Sequence, residues 1–138
     1  MVFNTPHLLP VICIDPGKRI GWATVLGGII TACGTVGEVD ALPPACAAVI
    51  EEPVIWGTNT KDPHSIMKVQ LVAGKCAQRY PTYALIPAVR WRGNVPEDVL
   101  ATRISRALLP HEPRGRSVHA RDAVGIGLWL VQRLHARQ

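Results

Sequence analysis

Long apolar runs are missing from this chain. The longest, such as Leu8–Ile14, are broken by proline or stop at a charge, far short of a membrane-spanning length. No basic segment precedes an apolar stretch with a small-residue cleavage site, so no secretory leader is expected. C-x-x-C pairs are also lacking. Cys13, Cys33, Cys46 and Cys76 are widely spaced in apolar surroundings, which suits small core residues in a reducing compartment better than disulfides or zinc ligands. Internal repeats, low-complexity tracts and Gly/Ser linkers are absent as well. These absences exclude membrane-spanning, secreted and disulfide-stapled classes. They leave an expected soluble, cytoplasmic protein, in the host cytoplasm if phage-encoded.

What is present is a chain of 138 residues with 48 % hydrophobic residues, enough for a buried core and for one domain spanning 1–138. Its net charge of +5 hides an asymmetry. Residues 1–67 carry three basic side chains (Lys18, Arg19, Lys61) against six acidic ones, a balance of −3; residues 68–138 carry twelve against four, a balance of +8. An acidic front suits a cation and a basic back suits a polyanion.

Val11–Asp15 is a short β-branched run ending on a charge, the pattern of a buried strand whose last residue emerges at a sheet end. Gly21–Leu26 and Ile29–Gly37 flank Gly27-Gly28, a pair suited to a tight hairpin turn. Pro43-Pro44 opens an Ala-rich segment expected to form one or two helical turns, and Ala47–Glu51 reads as a fourth strand. Ile66, Val69, Ala73 and Cys76 recur at helical spacing between about Ser65 and Tyr80. Thr82–Pro87 follows as a fifth strand. Helices are then predicted over Glu97–Leu109, with Leu100, Ile104, Ala107 and Leu108 on one face, and from about Ser117 to Leu134. Three strands followed by alternating helices and strands imply a mixed α/β sheet layered with helices.

Asp15 and Glu51 each stand at the end of an apolar strand, where an ionised carboxylate is costly unless paired or bound to a cation. If the two strands are neighbours, these carboxylates converge. His119 and Asp122, three apart, share a helix face with Ile126 and Leu130, so that face is expected to pack on the sheet. Singly, each residue has a plainer reading: Asp15 as a turn former before Pro16-Gly17, Glu51 and Glu52 as solvated charges, His119 and Asp122 as an exposed pair. Together, one histidine and three carboxylates make a hard-oxygen site suited to Mg²⁺ or Mn²⁺.

Ile14-Asp15-Pro16-Gly17 followed by Gly21-Trp22-Ala23 resembles the opening strand-and-hairpin motif of RuvC-type Holliday junction resolvases. Val49-Ile50-Glu51-Glu52 resembles the family's second acidic motif. His119-Ala120-Arg121-Asp122-Ala123 resembles its last, in which two metal-binding side chains sit three apart on the final helix. The resemblance implies an RNase H-like α/β fold, with a five-stranded mixed sheet and helices on both faces. It also implies Asp15, Glu51, His119 and Asp122 as catalytic metal ligands for two-ion phosphodiester hydrolysis, with Glu52 outside the ligand set. A homodimer formed through the helix at 65–80 would suit paired nicks on a four-way DNA junction during recombination and repair. Val54 holds a position where the family often has an aromatic residue, and Trp56 is the nearest aromatic.

Arg90, Arg92, Arg114, Arg116 and Arg121 lie close in sequence to the last motif, and arginines of this kind bind phosphates without reading bases. Trp56 and Trp91 are candidate stacking platforms for unpaired bases, whereas Trp22 and Trp129 are expected in the core. The reading is a structure-selective DNA endonuclease that uses no small-molecule cofactor. Alternatives are a YqgF-type RNase H-like nuclease acting on RNA, whose first motif Lys18-Arg19-Ile20-Gly21 echoes, and a non-catalytic nucleic-acid-binding module. The strand-end Glu51 argues against the former and the complete ligand set against the latter. An actin-like ATPase also opens with an Asp-x-Gly hairpin, but 138 residues leave no room for its second lobe.

Overall fold

The computed structural model describes residues 9–53, 62–108 and 118–136. Strand β1 (Val11–Asp15) is the centre of the sheet, and its mostly β-branched side chains suit a pleated strand covered on both faces. It pairs antiparallel with β2 (Ile20–Leu26) and parallel with β4 (Ala47–Glu52). Strand β3 (Ile29–Val36) flanks β2, and β5 (Tyr83–Pro87) runs parallel to β4, so the sheet order is β3-β2-β1-β4-β5. Gly27 and Gly28 turn the β2–β3 hairpin with φ of 63° and 77°, a left-handed pair that glycine adopts without a Cβ penalty.

Strand alternation divides the core in two. Ile12, Ile14, Ala48 and Ile50 face helix α1 (Pro63–Arg79) and pack with its Ala73, Cys76 and Ala77. Cys13, Val49 and Ile86 face the opposite way. They meet Trp91 of the single-turn helix α2 (Ala88–Arg92) and Ile126 of α4 (Val118–Ala136). Helix α3 (Glu97–Leu108) closes the far side of α4, burying Ile104 against Ala123 and Val124. The expected architecture, a five-stranded mixed sheet with helices on both faces, is the one observed. Helix α1 begins where Asp62 accepts a hydrogen bond from the Ser65 backbone at 3.3 Å and Pro63 takes the first position.

Local expectations are corrected at four places. The helical turn near Pro43-Pro44 lies earlier, as a 3₁₀ turn at Val39–Ala41, because a residue preceding proline is driven extended, as Leu42 is at ψ 141°. Helix α2 was not anticipated; five residues are too few for periodicity to register. Cys46 is exposed instead of in the core, although Cys13 and Cys76 are buried. Trp91, proposed as a stacking platform, is 5 % exposed and belongs to the core. Trp22 and Trp129 are partly buried and pack against the core as expected, the latter beneath Arg133.

Candidate metal centre

Two parallel strands in register bring their carboxyl ends together. Ile14 is level with Ile50, so the next residues, Asp15 and Glu51, emerge side by side from β1 and β4. Alternation then decides which glutamate joins Asp15. Glu51 shares the face of Val49, toward α4, whereas exposed Glu52 is turned to the α1 side.

Helix α4 reaches these strand ends because β2 gives way to it. Gly21 stands opposite Asp15, and a Cβ there would lie 2.0 Å from the carbonyl oxygen of His119. A Cβ on Gly17 would similarly lie 2.6 Å from the His119 ring. These two glycines in the first hairpin thus set how closely the start of α4 approaches β1. As a result, His119 Nδ1 comes 2.8 Å from Asp15 Oδ2, a hydrogen bond between the imidazole and the carboxyl group. One turn on, Asp122 faces the same strand ends. One oxygen each from Asp15, Glu51 and Asp122 lie within 4.8 Å of one another.

Each carboxylate of this trio has a donor on one oxygen. His119 engages Asp15; Trp91 Nε1 donates to Glu51 Oε2 at 3.0 Å; Arg92 Nη2 donates to Asp122 Oδ2 at 3.1 Å. The donors do not offset the cost of gathering three carboxylates out of water. Asp15, 6 % exposed, has its pKa pushed up to about 7, first by burial and then by the charge of Glu51, against the pull of His119. Burial likewise raises the pKa of Glu51 despite the Trp91 bond, and that of Asp122 despite Arg92. Three oxygen donors whose charges crowd one another fit a hard divalent cation, which would relieve both repulsion and desolvation. His119 stands outside the three-carboxylate cluster, against Asp15.

The remaining candidates scatter. Arg90 is exposed on α2, Arg92 is paired with Asp122, and Arg121 on α4 reaches Ser105 at 3.5 Å. Arg114, Arg116 and Trp56 lie outside the described residues. Sequence reasoning missed the role of Trp91 beside Glu51. A usable signal existed: Pro87 and Gly93, at φ +59°, bracket the five residues of α2 as a helix start and stop.

No protein-family model and no curated protein matches this chain. Solved structures do. A T. thermophilus RuvC in complex with a Holliday junction substrate is 18 % identical with a TM-score of 0.64, over 95 % of this chain and 96 % of that one. A second Thermus thermophilus RuvC structure is 19 % identical with a TM-score of 0.57, over 93 % and 95 %. At such identities the likeness concerns the fold, and the fold of this chain is the RuvC-like, RNase H-type α/β architecture that its three motifs implied.

Proposed function

We propose that this chain is a metal-dependent, structure-selective DNA endonuclease that resolves Holliday junctions and related branched DNA in recombination and repair. The observation that carries the reading is the convergence of Asp15, Glu51 and Asp122 at one end of a RuvC-like sheet. In this reading the three carboxylates hold Mg²⁺ or Mn²⁺, two ions per site. Bound ions of this kind lower the pKa of an attacking water and stabilise the leaving 3′-oxygen in phosphodiester hydrolysis.

The chain's own residues prepare that chemistry. Asp15, Glu51 and Asp122 supply oxygen donors from three elements, so no single loop movement disperses them. His119, with Nδ1 against Asp15, has Nε2 as its remaining ring nitrogen, and in this reading it is the fourth donor, at the edge of the three-carboxylate cluster. Exposed Arg90 on α2 supports a phosphate contact beside the site, and Arg121 on α4 a second; Arg114, Arg116 and Trp56 extend the proposed DNA path. Exposed Met67 and Leu71 on α1, on the opposite side of the sheet, support docking of a second copy there. A two-fold dimer would present two such sites to the two-fold substrate.

The test offers a synthetic four-way junction, a linear duplex and an RNA–DNA hybrid to the protein, each with Mg²⁺ or Mn²⁺. Symmetric nicks in the junction alone, abolished in Asp15→Asn, are the expected result. Equal cleavage of all three, or of none, overturns the resolvase reading, and cleavage confined to the hybrid favours an RNA substrate.

A further inference from the structure

Trp91 is in an unusual position for a core tryptophan. Its ring is 5 % exposed and fills a notch left by Gly125 of α4, where a Cβ would lie 2.4 Å from the ring carbon Cζ3. A buried indole N–H gains from an acceptor, which that of Trp22 lacks among the described residues and that of Trp91 has; apolar packing alone would be satisfied by phenylalanine. The acceptor here is Glu51 Oε2 at 3.0 Å, a member of the acidic trio. The next residue, Arg92, lies over the Trp91 ring at 4.8 Å from its centroid and donates to Asp122 Oδ2 at 3.1 Å. Consecutive residues of one helical turn therefore engage two of the three carboxylates and brace each other.

From these contacts, and resting on the metal-centre reading above, we infer that Trp91 is a positioning residue that fixes Glu51 in the orientation in which it joins Asp15 and Asp122. The physical reason is local. Glu51 has three rotatable side-chain bonds and stands at a strand end, half-surrounded by protein; without a fixed donor its carboxylate rotates away from two neighbouring negative charges. Trp91 opposes that rotation with a hydrogen bond from a ring that cannot itself move, because α4 closes over it at Gly125. Hydrogen-bond partners of metal-binding carboxylates are commonly worth about 10- to 100-fold in ion affinity.

The experiment compares the full chain with Trp91→Phe, which retains an aromatic ring in the Gly125 notch but has no N–H. Mn²⁺ binding is followed by the loss of the free-ion electron paramagnetic resonance signal, and folding by thermal melting. The expected outcome is a folded variant whose Mn²⁺ affinity drops about 10- to 100-fold, with junction cleavage restored by excess Mn²⁺ and KM for DNA unchanged. A readout on the unmutated protein stands beside it: the Trp91 indole N–H resonance shifts on adding Mg²⁺, while that of Trp129 does not. If Trp91→Phe binds Mn²⁺ within twofold of the unmutated chain, or the Trp91 resonance ignores Mg²⁺, the inference is overturned and the metal centre stands. If the unmutated chain itself takes up no Mn²⁺, both fall together.

Discussion

Asp15 combines the two properties that a metal ligand and a stability liability share: burial and like-charged neighbours. Its pKa of about 7, against an ordinary value of 3.8, means the folded chain holds a proton that the unfolded chain has already released between about pH 4 and pH 7. Stability without metal therefore falls as pH rises through that window, by at most about 4 kcal/mol from this group. In chelator, melting at pH 5 should exceed melting at pH 8, and Asp15→Asn should shrink the difference to the share left by Glu51 and Asp122 and stabilise the chain at pH 8. Added Mg²⁺ or Mn²⁺ should raise the melting temperature of the unmutated chain at pH 8 and leave Asp15→Asn unmoved. Identical melting of the two proteins across the range would refute this account. At the same scale, the sequence named Asp15 and Glu51 because charged ends on apolar strands are conspicuous, and Asp122 because it stands three residues after His119 on one helix face. It named Trp91 only as a stacking platform: the bracketing Pro87 and Gly93 mark its helical turn, but a hydrogen bond to Glu51 forty residues away leaves no trace in local pattern.

Among the elements, α4 has the narrowest tolerance. It carries His119 and Asp122 to the sheet only because Gly21 offers no side chain opposite Asp15. Gly21→Ala places a methyl carbon, fixed rigidly to its Cα, 2.0 Å from the His119 backbone carbonyl oxygen, and neither partner can rotate away. The helix start must shift, at a cost of about 1–3 kcal/mol in line with overpacked cores. The Asp15–His119 bond should be lost with it. Reduced melting temperature together with Mn²⁺ affinity weakened at least tenfold is the expected pair of measurements; unchanged ion binding would show that the close approach is not what places the site. The sequence anticipated α1, α3, α4 and all five strands to within two or three residues, because each is long enough for its period to show. Helix α2 escaped that reading by its brevity, and the turn at Val39–Ala41 because proline acts on the residue before it.

For the whole molecule, the two faces of the sheet divide the work. The α4 face holds the acidic centre, and the α1 face exposes Met67, Leu71, Tyr83 and Leu85, each more than two-fifths accessible. Exposed apolar residues gathered around one helix favour association. Met67→Glu with Leu71→Glu should shift sedimentation from dimer to monomer and turn paired junction nicks into uncoupled single nicks, with Mn²⁺ affinity unchanged. A chain that is already monomeric at micromolar concentration would remove the basis of this prediction. The charge asymmetry also resolves at this scale. Acidic Asp15 and Glu51 from the front half meet Asp122 from the basic half, so sequence halves and functional surfaces do not coincide.

The sequence by itself determined the order of elements, the strand-end carboxylates and the three-residue spacing of His119 and Asp122, since these are properties of local period and chain order. Strand register sets Glu51, the glutamate its motif already pointed to, and not Glu52 beside Asp15, and tertiary structure alone decided that Trp91 is a buried donor and that Arg92 is paired with an aspartate. Those outcomes depend on strand register and on how closely one helix can approach a sheet. Both are settled by contacts between residues far apart in the chain, where local pattern carries no information.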